Sequence, residues 1–110
     1  MKKKKNSLLQ GAVELLILRS LRDQDRHGWG IQQRINQIGN ERIFLNQGSL
    51  YPALIRLGDR GLIDSEWRIT ENGRKAKYYI LTKAGRRRLG IEVSQWHDFV
   101  MTMNLIIEQA

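Results

Sequence analysis

The fold of this chain is decided by residues 46–63, which read NQGSLYPALIRLGDRGLI. Leu50, Leu54 and Leu57 recur at i, i+4 and i+7, which places them on one face of an α-helix. Side chains that form hydrogen bonds lie mostly elsewhere on the helix: Gln47, Ser49, Tyr51 and Arg56. Reading the DNA major groove requires a helix with an apolar back and a polar front. An ordinary amphipathic surface helix has the same pattern, so the neighbouring segments must decide between the two.

Sequence signals mark both the beginning and the end of this helix. Asn46 is a good N-cap, and Gly61 supplies a stop at the other end. Pro52 then lies about six residues inside the helix, where it removes one backbone hydrogen bond and crowds the carbonyl of Gly48. We therefore expect an irregular or bent entrance to this helix.

Two helices are predicted upstream. Ser7 is a candidate cap for a first helix that runs to about Arg22 and is apolar over much of its circumference. A helix of this kind is buried on more than one side, which in a small domain suggests that part of it faces a second subunit. The second helix begins near residues 27–30 and ends before Gly39. Its predicted inward face consists of Ile31, Ile35 and Ile38.

Downstream of residue 62 the apolar period changes to two, which indicates a half-buried strand. Its inward side is predicted to carry Ile63, Trp67 and Ile69, with Asp64 and Glu66 on the outward side. Because Trp67 alternates with two isoleucines, it is predicted to be a core residue, and contact with a base is the alternative.

A hairpin turn and a return strand come next. The dipeptide at residues 72–73, Asn-Gly, is a strong hairpin signal, and the return strand is predicted at residues 77–82. Tyr78 and Tyr79 point to opposite faces of that strand. One of them is expected in the core and the other towards DNA, and the sequence leaves open which is which.

Thr82 is a candidate cap for a last helix over about residues 83–108. Its apolar residues follow the alternating spacing of four and three that is typical of a heptad seam: Leu89, Val93, Trp96, Val100, Met103 and Ile107. A helix that projects from a small domain with such a seam usually packs against another chain. Packing against the chain's own first helix is the alternative, and both can hold at once.

The charge of the chain is unevenly distributed. The formal net charge is +8, and residues 68–88 carry eight basic residues and one acidic residue. Residues 89–110 carry three acidic residues and no lysine or arginine. A polyanionic partner therefore suits the basic segment, whereas the acidic tail suggests a second task on another surface. Lys2 to Lys5 are either a solubilising tail or an arm that contacts phosphates.

Catalysis and membrane insertion are not indicated. The chain has no cysteine, its two histidines are far apart, and no glycine-rich phosphate loop follows a strand. We therefore expect neither an enzyme nor a cofactor or metal. No run approaches the roughly 18 apolar residues of a membrane span, and residues 8–21 make a poor signal-peptide core. The expected compartment is the cytoplasm, with no membrane partner.

Three helices followed by a basic hairpin are the plan of the winged helix-turn-helix. The predicted class is mainly α with a small β-hairpin (α+β): residues 1–7 a flexible basic arm, 8–82 the winged helix-turn-helix domain and 83–110 a C-terminal dimerisation helix. Double-stranded DNA is the expected partner, because cations and hydroxyls suit phosphates and short polar groups at a helix entrance suit bases. The candidate DNA-binding residues are Asn46, Gln47, Ser49, Tyr51, Arg56, Arg68, Arg74, Lys75 and Lys77.

Several short motifs resemble the PadR family of bacterial transcriptional regulators. They are LQG at 9–11 with LIL at 16–18, HGWGI at 27–31, GSLYPAL at 48–54 with RL at 56–57 and GLI at 61–63, and KYY at 77–79 with LT at 81–82 and Gly85. The departures from the family pattern are Trp29 for tyrosine, Ser49 for threonine and Gly58 for glutamate. None of them removes a candidate DNA-binding group.

This resemblance implies a homodimer that usually represses transcription, in the short subfamily with a single C-terminal helix. That helix is expected to pack against the partner's first helix, with the interface formed by Leu8, Ala12, Leu15, Leu89, Val93, Trp96, Val100, Met103 and Ile107. In some such members the helix helps to line a site for an aromatic ligand, so Trp96 is a candidate contact for a small aromatic effector, with simple packing as the alternative. The expected operator is an inverted repeat with half-sites about 34 Å apart. A winged-helix module that binds protein or RNA instead is the alternative function.

Overall fold

The chain forms four helices and three strands over the part that the structure describes. The computed structural model describes the backbone of residues 5–40 and 42–109 and the side chains of residues 11–40 and 42–109. The elements are α1 (Lys5–Ser20), β1 (Arg26–His27), α2 (Gly28–Ile38), α3 (Gln47–Asp59), β2 (Ile63–Ile69), β3 (Lys75–Leu81) and α4 (Lys83–Gln109). The strands form an antiparallel sheet in the order β1-β3-β2. The predicted fold class, mainly α with a small β-hairpin, is confirmed.

Three helices begin at a side-chain cap. The Asn46 Oδ1 accepts a hydrogen bond from the Ser49 N–H at 3.0 Å, and the Thr82 Oγ1 accepts one from the Gly85 N–H at 2.9 Å. Both of these caps are as predicted. The third cap is unexpected: the His27 Nδ1 accepts a hydrogen bond from the Gly30 N–H at 2.9 Å. Each cap satisfies a backbone donor that the first turn leaves unpaired.

The beginning of α1 differs from the prediction. The helix already includes Lys5, so Ser7 lies inside the helix and is not its cap. Lys5 to Ser7 were assigned to a flexible arm on the basis of their charge and polarity, which do not prevent helix formation. The rest of the predicted arm, residues 1–4, lies outside the described residues.

The core lies where α1, α2 and α3 meet the base of the hairpin. Ile17, Leu18 and Leu21 pack there with Ile31 and with the predicted apolar face of α3, namely Leu50, Leu54 and Leu57. Ile38, which was predicted to face inwards, is exposed instead. It belongs to the last turn of α2, where it lines an open cleft beside Leu16 and Ile43 and no longer packs into the core.

The helix α3 begins at Gln47 and continues through Pro52 to Asp59. Asn46 caps the first turn, and its carbonyl accepts the Leu50 N–H at 3.0 Å. The missing N–H of Pro52 leaves the carbonyl of Gly48 without its helical partner, but Gly48 is exposed and water can reach it. The proline is therefore accommodated on the exposed side of a continuous helix, and the bend expected at its entrance stays a prediction.

The hairpin has two additional features. Its turn is centred on Asn72 and Gly73 as predicted, with Gly73 in the left-handed region at φ 80°, but β3 begins at Lys75, two residues earlier than expected. The two-residue strand β1 was not predicted, because a segment this short has no detectable period. It pairs with β3 and so attaches the hairpin to the start of α2.

Only the base of the hairpin is buried. Ile63 pairs with Leu81 in the core, whereas Trp67 and Ile69 are each 64% exposed. The prediction that Trp67 and Ile69 are core residues was therefore wrong. Alternation correctly put them on the same face as Ile63, but the hairpin extends beyond the helices that cover this face at its base.

The last helix, α4, has 27 residues and is thus about 40 Å long. Its first turns pack against the body of the protein: Leu89 is buried, and a Cβ on Gly85 would lie 2.0 Å from the carbonyl oxygen of Leu62. Every residue from 94 to 109 is exposed. The helix therefore leaves the body after about three turns.

Candidate nucleic-acid interface

The helix α3 presents a distinct face to solvent. Leu50, Ala53, Leu54 and Leu57 are buried, and this fixes the orientation of the opposite side. Gln47, Tyr51 and Ile55 are exposed there, and Ser49 is half-buried at its edge. Asn46 is exposed as well, but its side-chain oxygen is engaged in the helix cap. The exposed face therefore offers Gln47, Ser49 and Tyr51 to a ligand.

Tyr51 also joins α3 to the beginning of α2. A Cβ built on Gly28 would lie 2.6 Å from the Tyr51 Oη and 3.2 Å from its Cζ. A side chain at position 28 would thus displace the tyrosine ring. This close approach explains why a helix that begins with glycine is useful here, although glycine weakens a helix.

An open groove of about 560 Å³ lies between the hairpin on one side and the beginning of α2 with Tyr51 of α3 on the other. We call it the wing groove, and among the residues that line it are Trp29, Tyr51, Trp67, Arg74, Lys75 and Lys77. The three basic residues are exposed and were all predicted to bind DNA. Among the described residues, none of the three forms an ion pair, so their charges are available to phosphates.

Arg68 lies on the other face of the hairpin. Its guanidinium contacts Asp25 at 2.8 Å and Glu66 at 2.6 Å, and it lies over the ring of Tyr78 at 5.0 Å from the centroid. The hydrogen bond to Asp25, which has the larger effect, and the one to Glu66 raise the pKa of Arg68 above its ordinary value. With two carboxylates beside it and no contact with the wing groove, Arg68 is not brought to the predicted DNA-binding surface.

Arg56 is likewise engaged within the protein. Its Nε lies 2.7 Å from the Glu14 Oε2, and the Arg60 Nη1 lies 3.0 Å from the other oxygen of the same carboxylate. Glu14 belongs to α1, so the two arginines connect α3 to the first helix. The structure therefore engages Arg56 with α1, whereas the sequence analysis had grouped it with Gln47, Ser49 and Tyr51 on the polar side of α3.

The two tyrosines of β3 do not divide as expected. Tyr79 packs partly against the core and also lines the wing groove. Its pKa is raised mainly by burial and to a smaller extent by the nearby Tyr51. Tyr78 faces away from the groove and contacts the His27 ring edge-on at 5.1 Å. Tyr79 therefore lies both against the core and at the wing groove, because the face of the sheet that lines the groove continues into the core.

Comparison with known proteins identifies the family. Residues 17–91 match the transcriptional regulator PadR-like family. The chain belongs to the PadR family. It is 38% identical over 80 residues to a transcriptional regulator of Mycobacterium tuberculosis, a match that covers 73% of this chain and 71% of that protein. This PadR-family chain is accordingly a winged-helix DNA-binding transcriptional regulator and not an enzyme.

Solved structures have the same architecture. A PadR-like transcriptional regulator from Bacillus cereus superposes with a TM-score of 0.79 at 28% identity, covering 92% of this chain and 96% of that one. A PadR family regulator from Eggerthella lenta gives a TM-score of 0.80 at 29% identity, covering 94% and 88%. The long C-terminal helix is thus part of the shared fold, since both alignments extend over nearly the whole chain.

The residues predicted for a dimer interface differ in their burial in this PadR protein. Leu89 is buried in the chain's own core and Val93 packs against that core, so Leu89 cannot face a partner. Ala12 and Leu15 are half-buried, and the side chain of Leu8 lies outside the described part. The remaining four are exposed: Trp96, Val100, Met103 and Ile107.

Trp96, the candidate contact for an aromatic effector, is 45% exposed and lies beside Phe99, with 5.9 Å between the ring centroids. The described part of the chain was also compared with the requirements of a metal site and of a membrane span. Within residues 5–40 and 42–109, no cluster of three acidic or histidine side chains has the arrangement of a metal site. No helix in these ranges has the length and apolar character needed to cross a membrane.

Two aromatic residues of the groove were not among the predicted DNA-binding residues. Trp67 was predicted to be a core residue, with contact to a base as the alternative, and Trp29 was noted only as a departure from the family pattern. The register of the hairpin was a usable signal for Trp67, because it pairs with Lys77 and cross-strand partners share a face. No signal in the sequence indicates Trp29, since its position at the groove depends on how α2 packs against the sheet.

Proposed function

We propose that this PadR-family protein acts as a homodimeric repressor that binds an inverted-repeat operator. The observation that carries the proposal is the wing groove, where the exposed cations Arg74, Lys75 and Lys77 share the lining with Tyr51 of the exposed face of α3. Phosphate contacts fix a protein's register on the duplex, and base contacts provide sequence preference. The two parts of this surface match these two tasks.

Gln47 and Ser49 are the proposed base-reading residues, because they lie at the entrance of α3 and carry short hydrogen-bonding groups. Tyr51 is proposed to contact a phosphate through its hydroxyl. Arg56 and Arg68 are instead proposed to stabilise the fold that presents the DNA-binding surface, because carboxylates of the chain already neutralise both arginines.

The distal α4, residues 94–109, supports the homodimer. It exposes a dense set of large apolar side chains: Trp96, Phe99, Val100, Met101, Met103, Leu105, Ile106 and Ile107. A monomer rarely exposes an apolar patch of this extent to water. A second copy of this chain is the proposed partner, because the heptad seam continues without interruption from the buried Leu89 into this surface.

Repression is proposed from the family resemblance, since a regulator that occupies an operator blocks access to the DNA.

A small aromatic effector is a second candidate feature. It is favoured by the exposed ring pair of Trp96 and Phe99 on the proposed dimer surface. Quenching of tryptophan fluorescence by planar aromatic compounds, lost in Trp96→Phe, is the expected result. Quenching that persists in this variant would place such a ligand elsewhere.

The experiment that tests operator binding is selection of bound duplexes from random DNA at two salt concentrations. We expect enrichment of an inverted repeat with half-site centres about 34 Å apart. Enrichment of no duplex would contradict the proposal and would favour a protein- or RNA-binding module.

The wing groove is tested by alanine variants on the selected operator. Arg74→Ala, Lys75→Ala and Lys77→Ala should each weaken binding to all duplexes and flatten the salt slope by about one unit. Lys83→Ala is the matched control: this lysine is exposed at the start of α4, does not line the groove and should leave the slope unchanged. Equal effects of all four substitutions would show that only the overall charge matters.

A further inference from the structure

Trp67 has an environment that the predicted core position does not explain. It lies in the middle of β2, is 64% exposed and lines the wing groove together with Trp29 and Tyr51. Large apolar side chains at the surface often mark a binding site when other features of that site surround them. The surroundings of Trp67 therefore indicate what it binds.

The register of the hairpin places cations directly beside the exposed apolar residues. Trp67 pairs with Lys77, and Ile69 pairs with Lys75, so all four share the groove face of the sheet. The other face carries the ion pair of Arg68 with Glu66 and Asp25, which is neutralised within the chain. Only the groove face thus combines apolar surface with uncompensated positive charge.

This combination fits the backbone of a DNA strand. Its phosphates are charged and spaced regularly, and the deoxyriboses between them present C–H groups. A cation and an apolar ring at neighbouring positions on one face can contact a phosphate and the adjacent sugar at the same time. An acidic protein segment also supplies negative charge, but the neighbouring entrance of α3 makes a duplex the occupant that covers both surfaces of this regulator.

We propose that Trp67 is a DNA-contacting residue of the wing, with its ring against a deoxyribose next to the phosphate that Lys77 binds. This inference rests on the proposed DNA-binding role of the wing groove. A sugar contact is the same at every base pair, so Trp67 contributes affinity and position and does not read sequence. It also releases no counterions, which distinguishes it from the lysines.

The first experiment measures the dissociation constant of the selected operator and of a scrambled duplex at several salt concentrations. Trp67→Ala should weaken binding to both duplexes about tenfold and leave the salt slope unchanged, because an apolar contact is lost and no charge. Trp67→Phe should recover part of the loss. Lys77→Ala should instead flatten the slope by about one unit.

Ile38→Ala is the matched control, because Ile38 is 65% exposed on the far end of α2 and does not line the groove. It should bind like the unmodified protein. Circular dichroism should show the same melting temperature for Trp67→Ala as for the unmodified protein, since the exposed ring makes few contacts. Unchanged affinity in Trp67→Ala, or a flattened slope, would overturn the inference.

A second measurement observes the ring directly. The double variant Trp29→Phe, Trp96→Phe retains Trp67 as its only tryptophan. Bound operator should reduce the quenching of its fluorescence by acrylamide about threefold, as expected when an exposed indole is covered by DNA. If the operator binds and acrylamide quenching is unchanged, the ring is not covered and the inference fails.

The failure of this inference and the failure of the proposed function give different results. If the unmodified protein binds no duplex, the proposed function fails and the inference fails with it. If the unmodified protein binds its operator with the expected salt slope and Trp67→Ala binds equally well, only the inference fails. Binding of RNA or protein in preference to duplex DNA would also contradict it.

Discussion

The two ends of α4 differ in their surroundings although one heptad seam runs through both. At the proximal end Leu89 is 3% exposed and Gly85 lies against the backbone of residue 62. At the distal end the seam residues Met103 and Ile107 are exposed to 41% and 64%. The same spacing of apolar residues thus leads into the chain's own core at one end and to solvent at the other.

The difference shows that a heptad seam indicates a helix that needs a partner but does not identify the partner. Both alternatives considered from the sequence apply, each to a different part of α4. The proximal seam is covered by the chain itself, and we propose that a second copy covers the distal seam. The following substitutions separate the two ends.

The largest effect on stability is expected at the proximal end. Leu89→Ala should lower the free energy of unfolding by about 3 kcal/mol, because it leaves a cavity in a packed core. Ile107→Ala truncates an aliphatic side chain of the exposed seam and should act only through association, so its effect should disappear on dilution. Urea unfolding at several protein concentrations measures both. Equal losses at the lowest concentration would mean that the distal end also packs against its own chain.

The next effect concerns assembly. Val100→Asp places a charge in the distal seam and should raise the dimer dissociation constant about a hundredfold, or about 2.7 kcal/mol. Ser94→Asp adds the same charge one residue away from the seam position of Val93 and serves as the control. Sedimentation and light scattering measure the fraction of dimer. A Val100→Asp protein that remains dimeric at low micromolar concentration would refute the proposed interface.

The smallest effect contrasts two glycines of the same helix. In Gly85→Ala the new Cβ would also lie 2.7 Å from the Leu81 Cδ1, so the helix must shift, at a cost of about 2 kcal/mol. A Cβ on Gly90 meets nothing within 4 Å, and Gly90→Ala should stabilise the helix by up to about 1 kcal/mol. Thermal unfolding should show shifts of opposite sign. Two shifts of the same sign would mean that α4 does not approach residue 62 this closely.

Much of the fold was predictable from local signals. The apolar face of α3, the caps Asn46 and Thr82 and the turn at Gly73 are confirmed by the structure. In each case the residues that interact are within a few positions of one another, so their spacing is visible in the sequence. The errors concern residues whose surroundings come from distant segments: Trp67, Ile69, Ile38 and Leu89.

The candidate site was only partly predictable for the same reason. Arg74, Lys75 and Lys77 were identified by charge, and the structure places them at the wing groove. Arg68 and Arg56 were identified on the same grounds, but Asp25 and Glu14 pair with them across 43 and 42 residues of sequence. Such pairing cannot be seen in a charge pattern, because any acidic residue of the chain is a candidate partner until the fold is known.

The sequence by itself determined the order of helices and strands, the family of the chain and the identity of its apolar faces, because periodicity, capping and turn chemistry act over a few residues. The tertiary structure decided which apolar faces the chain covers and which cations remain unpaired. Burial and ion pairing depend on segments that are far apart in sequence. That dependence explains why one seam has two environments in α4, and why Trp67 faces the wing groove.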